Sequence, residues 1–167
     1  MKRTLLKTLL AAAVVALALP AAAQTKLKWA HVYETSEPYH TESVWAAEEL
    51  KKRTNGKFEI QVFPASSLGK ETDINQGMQL GTVDMIISGP SFAARSYPRL
   101  GIAYYPFIFR DADHQAAYSK SAVFKEMIDG YREKTGIQIL AYTYYGARHT
   151  TSKTAFTDCA GMKGLKI

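Results

Sequence analysis

Short apolar runs alternate with longer amphipathic stretches from residue 24 onward, and this order constrains the fold more than any other feature. Short apolar runs predict strands, and apolar residues spaced three or four apart predict helices. Alternating strands and helices are typical of βαβ units on a parallel sheet. We therefore predict an α/β fold with a mostly parallel sheet flanked by helices. The predicted strands cover 27–32, 58–62, 83–87 and 137–145, and the predicted helices cover 38–54, 72–80 and 111–135.

Three of these segments carry finer expectations. The run 83–87 is rich in β-branched residues and is interrupted only by Asp84, which predicts a central strand buried on both faces. The last strand should run from Ile137 toward Tyr145. Gly130 is the predicted weak point of the last helix, because glycine disfavours helix interiors.

The first 23 residues have the pattern of an export signal. Lys2, Arg3 and Lys7 precede an apolar run from Leu9 to Leu19, and small residues follow it up to Ala23. We predict cleavage after Ala23, so that the fold begins at Gln24 in an exported protein. The alternative, an uncleaved membrane anchor, is disfavoured because the apolar run is shorter than the roughly 20 residues that span a bilayer.

Charge and cysteine content exclude several classes of protein. Removing the three positive charges of the signal segment lowers the formal net charge from +6 to +3, which is too mild to indicate nucleic-acid binding. Cys159 is the single cysteine, so an intramolecular disulfide cannot form. We interpret Cys159 as a small apolar filler, with a reactive or intermolecular thiol as the alternative.

A candidate binding site follows from the predicted sheet. Ligands of open α/β sheets bind at the carboxyl ends of the strands. Arg148 follows the last predicted strand, and its planar guanidinium matches a carboxylate bidentately. The alternative is a surface arginine paired with a nearby acid. His31 either donates to an anion or is satisfied in the core. The segments predicted at this edge are 31–33, 64–67, 88–92 and 146–151.

Signatures of metal sites and of catalysis are missing from the sequence. The four histidines lack the H-x-x-x-H or H-E-x-x-H spacing of metal ligands. The chain has no G-x-S-x-G nucleophile elbow, no Walker loop and no G-x-G-x-x-G dinucleotide motif. We therefore expect no metal, no cofactor and no enzymatic activity.

Several segments match, in order, a known family of receptors. They are KWAHV, FPASSLGKETD, LGTVDMIISGPSF, YPFIFRDADH, YYGARHTTSK and MKGLKI. With these motifs the chain resembles the extracytoplasmic solute receptors of tripartite ATP-independent periplasmic (TRAP) transporters, the DctP-type family. The resemblance covers nearly all of the chain after the signal segment.

The resemblance implies a periplasmic-binding-protein-like clamshell of two α/β lobes. Residues 24–145 would form the first lobe, and 146–167 the crossover and the start of a second lobe that is largely missing. In the family an arginine that clamps the solute carboxylate follows directly after the position of Ile167. The implied protein is periplasmic and catalyses nothing. It binds a small organic acid, a C4-dicarboxylate or a sugar acid, and delivers it to membrane permease subunits.

The resemblance also assigns roles to individual residues. Arg148 falls on an arginine that helps to orient the ligand carboxylate. Ser88, Gly89 and Phe92 fall in a loop that shapes the solute pocket, and His31 lies beside the first-strand loop that borders it. Sialic-acid receptors of the family carry glutamate in place of Gly89 and arginine in place of Phe92, so sialic acid is disfavoured as the solute.

Two other functions remain open at this point. One is a receptor for an ATP-driven importer, which uses the same clamshell with a different membrane partner. The other is an exported hydrolase whose catalytic group lies outside this sequence, although no nucleophile motif supports it.

Overall fold

Three strands form a parallel sheet in the computed structural model, which describes residues 24–166. Strand β1 (Thr25–Ala30) lies in the centre, between β2 (Phe58–Phe63) and β3 (Met85–Ile86). Strand β1 pairs with β2 along its whole length, from Thr25 opposite Phe58 to Ala30 opposite Phe63. The predicted signal segment, 1–23, lies outside the described residues.

Helices connect the strands in the predicted βαβ order. Helix α1 (Pro38–Arg53) joins β1 to β2, and α2 (Glu71–Gln79) joins β2 to β3. The predicted α/β fold with a parallel sheet flanked by helices is thus confirmed. The remaining elements are α3 (Pro90–Ala93), a 3-10 helix (Pro98–Tyr104), α4 (Ala112–Ser119), α5 (Ala122–Thr135) and a 3-10 turn (Ala160–Met162).

Two apolar clusters hold these elements together. Ala30, Ile74 and Val83 form the first cluster, which packs α2 against the sheet. Leu100, Met127 and Tyr131 form the second cluster, which packs α5 against the 3-10 helix. Burial of such side chains is the main source of stability, since each one removes apolar surface from water.

Strand β3 is shorter than predicted and lies at an edge of the three-stranded sheet. The prediction of a central strand over 83–87 is therefore wrong for the described residues, where β1 is central. The carboxylate of Asp84 accepts the backbone N–H of Lys28 at 2.8 Å. The backbone N–H of Lys28 thus bonds to a side chain instead of to the backbone of β3. Regular pairing of β1 with β3 is limited to Trp29 and Ala30.

The last predicted strand, 137–145, is not a strand. No backbone group of residues 137–158 bonds to another backbone group within 24–166. The burial of the side chains does alternate here, because Ile137 and Ile139 are half-buried while Gln138 is exposed. These two isoleucines pack against the Leu100 and Met127 cluster. The pattern therefore reflects packing on a helix, without backbone pairing to a sheet.

The predicted helix over 111–135 consists of two helices that meet at Ser121. The Ser121 hydroxyl accepts the backbone N–H of Phe124 at 3.1 Å and caps α5. Helix α5 runs without interruption through Gly130, and the weak point predicted there stays a prediction. It ends at Gly136, which has a φ of +73°.

Cys159 is exposed, directly before the 3-10 turn at Ala160–Met162. Its interpretation as an apolar filler is therefore wrong, because this surface turn encloses no core. Among the residues that the structure describes, no helix has the length and apolar character to cross a bilayer.

Candidate functional site

The carboxyl ends of the strands lie at one edge of the sheet, as expected for parallel strands. Immediately after β1, the N–H of His31 donates to the carbonyl of Phe63 at 3.0 Å, and the N–H of Ser66 donates to the carbonyl of His31 at 3.2 Å. On the other side, the N–H of Ile87 donates to the carbonyl of Ala30 at 3.2 Å. The predicted segments 31–33, 64–67 and 88–92 therefore start side by side.

His31 is buried at this edge, with 1% of its surface exposed. Its Nε2 atom lies 3.3 Å from Nδ1 of His40, which is close enough for one proton to be shared between the rings. Burial and then the charge of His40 lower the pKa of His31 below 6.5. The ring is thus uncharged at neutral pH, and its burial fits the alternative of a core histidine better than direct contact with an anion.

Three tyrosines cluster beside His31, whose ring lies 5.9 Å from that of Tyr33. The ring of Tyr33 lies 4.7 Å from that of Tyr39 and 5.5 Å from that of Tyr145. The hydroxyl of Tyr145 donates to Oε2 of Glu37 at 3.1 Å. Burial, followed by the charge of Glu71, raises the pKa of Tyr33 to about 12. These contacts attach the segment around Tyr145 to the loop after β1.

The loop after β3 is fixed by one carboxylate. Oε1 of Glu71 accepts the backbone N–H of Gly89 at 2.7 Å and the hydroxyl of Ser88 at 3.0 Å. Asn75 donates to the same hydroxyl at 2.8 Å. Glu71 and Asn75 lie one turn apart on α2, so the first turn of this helix sets the position of Ser88 and Gly89.

Phe92 lies in the single helical turn that follows this loop. Its N–H donates to the carbonyl of Gly89 at 3.0 Å. The guanidinium of Arg95 stacks over the Phe92 ring, 5.6 Å from its centre. Phe92 thus belongs to the same loop as Ser88 and Gly89, with its ring next to a cation.

Arg148 reaches this loop through a tyrosine. Its Nη2 atom donates to the hydroxyl of Tyr104 at 2.7 Å. The Tyr104 ring in turn lies 3.7 Å from the position that a Cβ atom would take at Gly89. Within residues 24–166, no acid forms an ion pair with Arg148. Four of the five predicted residues therefore lie in one neighbourhood: Arg148, Ser88, Gly89 and Phe92. His31 lies next to Tyr33, which packs against Tyr145.

Two residues of this neighbourhood, Tyr104 and Glu71, were not predicted from the sequence. Tyr104 lies at the end of a 3-10 helix, and no local pattern marks its contact with Arg148. Glu71 could have been found from the sequence, because it is an acid at the start of a helix that directly follows a strand-end loop.

A groove of about 340 Å³ lies away from these residues, between α5 and the segment around Tyr142.

The chemistry of this site is that of binding through hydrogen bonds. It offers a guanidinium, several phenolic hydroxyls, a serine hydroxyl and two carboxylates. Within the described part of the chain, no three histidine, cysteine, aspartate or glutamate side chains are grouped so as to hold a metal ion.

Comparison with known proteins identifies the family. The model of the bacterial extracellular solute-binding proteins, family 7 (DctP), matches residues 29–167. The chain belongs to this family. The resemblance to the TRAP receptors is thereby confirmed.

Relatives of this DctP-type chain include a solute-binding protein of Roseobacter denitrificans, which is 32% identical over 87% of this chain and 45% of the relative. The 2,3-diketo-L-gulonate-binding periplasmic protein of Escherichia coli is 33% identical over 81% of this chain and 42% of its own length. A crystal structure of a TRAP periplasmic solute-binding protein from Haemophilus influenzae with bound L-gulonate matches with a TM-score of 0.77 and 27% identity. That match covers 84% of this chain and 46% of the other.

The DctP-type chain thus spans less than half the length of the curated relatives that it matches. The residues described here correspond to one part of those proteins.

Proposed function

We propose that the full-length protein is an extracytoplasmic receptor that binds a small organic acid and delivers it to the membrane permease subunits of a TRAP-type secondary transporter. The solute is a C4-dicarboxylate or a sugar acid. The observation that carries the proposal is Arg148, whose guanidinium lies at the carboxyl edge of the sheet without an acid partner in residues 24–166. Such a group binds a carboxylate through two parallel hydrogen bonds.

Each residue has a role in this proposal. Arg148 orients the carboxylate of the solute, and Tyr104 holds its guanidinium. Ser88, Gly89 and Phe92 shape the pocket wall, because Glu71 fixes this loop against α2. His31 supports the wall from below.

The ligands of similar proteins support the choice of solute. The relative from Escherichia coli is named for binding 2,3-diketo-L-gulonate. Solved structures of similar proteins contain L-gulonate, D-erythronate and succinate. All of these are small acids, which fits a site built around one arginine.

The proposal extends to the organisation and location of the protein. Residues 24–145 are the first lobe of a clamshell, and 146–167 lead into a second lobe. The protein is periplasmic and is exported by the cleaved signal peptide proposed for residues 1–23, in keeping with its family. It acts as a receptor and catalyses no reaction.

Isothermal titration calorimetry on the full-length protein tests this function. The panel contains succinate, L-malate, D-erythronate, L-gulonate and D-galacturonate. We expect at least one of these acids to bind, and we expect Arg148→Ala to weaken that binding by about 2–5 kcal/mol, because it leaves a carboxylate unpaired.

The matched control is Arg110→Ala. Arg110 is exposed and precedes the capping residue of α4. Its loss should leave affinity unchanged. Equal binding by wild type and Arg148→Ala would show that Arg148 is not the carboxylate ligand, and binding of no acid would reject the receptor function proposed here.

A further inference from the structure

Residues 143–145 are attached to the start of α1 by side chains. No backbone group of 137–158 bonds to another backbone group within 24–166, so the sheet does not hold this segment. Instead, the hydroxyl of Tyr145 donates to Oε2 of Glu37 at 3.1 Å, and the hydroxyls of Tyr39 and Thr143 share a hydrogen bond of 2.8 Å. Glu37 is the N-cap residue of α1 and Tyr39 lies in its first turn, so both bonds end at the same place on the helix.

Stacked rings reinforce these two hydrogen bonds. The rings of Tyr39 and Tyr145 lie with their planes 15° apart and their centres 5.3 Å apart, and Tyr33 packs against both. Such aromatic pairs attract one another in addition to burying apolar surface. Oε1 of Glu37 accepts the backbone N–H of Glu34 at 3.0 Å, so the carboxylate that receives Tyr145 is itself held. We call Tyr39 and Tyr145, with their two hydrogen bonds, the tyrosine anchor.

A short stretch of chain links the tyrosine anchor to Arg148. Consecutive Cα atoms lie about 3.8 Å apart, so the Cα atom of Arg148 is at most about 11 Å from that of Tyr145. Gly146 turns the chain between them with a φ of +130°, a conformation that favours glycine. A Cβ atom there would meet nothing within 4 Å beyond its chain neighbours, so the backbone conformation accounts for glycine at this position. The position of Arg148 therefore depends on where the anchor holds Tyr145.

Two observations place the guanidinium of Arg148 near both the anchor and Tyr104. Its Nη2 atom donates to the hydroxyl of Tyr104 at 2.7 Å. The hydrogen bond to Glu37 raises the pKa of Tyr145, and the positive charge of Arg148 acts to lower the same pKa. An effect of that charge requires a short distance, since solvent screens charges that lie far apart. Arg148 is thus held at its tip by Tyr104 and at its backbone by the anchor.

Resting on the proposed function, we infer that the tyrosine anchor positions the guanidinium of Arg148 for the carboxylate of the solute. Tyr39 and Tyr145 are then positioning residues, which act on the solute through Arg148. A guanidinium forms two parallel hydrogen bonds with a carboxylate only when the two groups are oriented correctly. Holding the backbone near Arg148 reduces the entropy lost when these bonds form. Helix α1 thus contributes to solute binding through the anchor.

The test is isothermal titration calorimetry on the full-length protein, with the panel of acids named above. The double variant Tyr39→Phe/Tyr145→Phe keeps both rings and removes both hydrogen bonds of the anchor. It is made in the wild type and in Arg148→Lys, because an ammonium keeps the charge but has no plane to orient. The two single variants are made as well, so that a double variant that does not fold still leaves a test.

We expect the double variant to weaken binding about tenfold in the wild-type background and less than about twofold in the Arg148→Lys background. The control is Tyr144→Phe, which should bind as the wild type does. Tyr144 is adjacent to the anchor and 54% exposed, and its hydroxyl takes no part in the two hydrogen bonds.

A second measurement needs no solute. The heteronuclear NOE of Nε of Arg148, measured by NMR on the solute-free protein, should fall in the double variant because the side chain moves more freely. A merely structural role of the tyrosines would lower the melting temperature without this change at Arg148.

The outcomes separate this inference from the proposed function. Wild-type affinity in the double variant overturns the inference while the receptor function stands. Equal weakening in both backgrounds also overturns it, because the tyrosines would then act independently of the guanidinium. If the wild type binds no acid, the proposed function fails, and an unchanged NOE at Arg148 would overturn the positioning role as well.

Discussion

Arg148 and Tyr104 are joined by two contacts. The guanidinium donates to the phenolic hydroxyl at 2.7 Å and lies over the ring, 5.3 Å from its centre. A hydrogen bond and a cation–π contact together restrict both the position and the plane of the guanidinium. The guanidinium of Arg148 is therefore held in a defined orientation, which in the proposed receptor would reduce the entropy lost when the solute binds.

This pair makes a first prediction. Tyr104→Phe keeps the ring and removes the hydroxyl, so we expect solute affinity to fall by about 0.5–1.5 kcal/mol, the usual contribution of one hydrogen bond. Titration calorimetry on the full-length protein measures the change. Tyr105→Phe is the control, because Tyr105 is 66% exposed. Wild-type affinity in Tyr104→Phe would mean that the hydroxyl does not orient Arg148 during binding.

The cap of helix α5 gives a second prediction. Ser121→Ala removes the acceptor for the N–H of Phe124, and we expect the free energy of unfolding to fall by about 1 kcal/mol. Urea denaturation followed by circular dichroism measures this loss. Ser67→Ala, at an exposed loop position, should have no such effect. An unchanged midpoint in Ser121→Ala would show that the break between α4 and α5 does not depend on this cap.

Gly130 gives a third prediction, because it makes room for Tyr97. A Cβ atom at residue 130 would overlap the Tyr97 hydroxyl and lie 2.9 Å from its Cζ. Gly130→Ala should therefore lower the melting temperature, although alanine gains about 1 kcal/mol of helix propensity. The double variant Tyr97→Phe/Gly130→Ala should recover part of the loss. Stabilisation by Gly130→Ala alone would contradict the close contact.

A fourth prediction concerns the pH dependence of stability and rests on His31. Its pKa is lowered in the folded protein, so below about pH 6.5 the unfolded chain takes up a proton that folded His31 resists. Stability should therefore decrease as the pH falls from 7 to 5. We expect melting temperatures of His31→Gln to decrease less over this range than those of the wild type.

Two controls accompany this pH experiment. His149→Gln, at an exposed position, should retain the wild-type slope. His40→Gln removes the charge of His40, which is the second cause of the lowered pKa of His31. The pKa of His31, followed by NMR, should therefore rise toward 6.5. An equal slope in wild type and His31→Gln would assign the pH dependence to other groups.

The parallel sheet could be predicted because its signals are local. The alternation of Phe58, Ile60 and Val62 with polar residues marks β2 without knowledge of its partner. The same kind of signal failed at 137–145, because alternating burial also arises when a chain packs on a helix. A periodic pattern indicates which side chains are covered, and only tertiary structure shows what covers them.

The candidate site was predictable only in part. Arg148 was proposed as a residue that follows a strand, but 137–145 forms no strand, and Arg148 reaches the loop after β3 through Tyr104. Its contact with Tyr104 spans 44 residues, and the contact of Glu71 with Gly89 spans 18. Such pairings depend on how the helices pack, which residue spacing alone does not encode.

Strand β1 pairs in parallel on both sides, and this has a consequence for how the protein can vary. Inserting one residue into β1 before Ala30 would move the side chains of Ala30 and His31 each to the other face of the sheet. It would also shift the loop after β1 relative to the loops after β2 and β3. Lengthening the exposed loop at 65–68 would leave that alignment intact. The loops at the carboxyl edge can therefore change in length while the length of β1 is held constant.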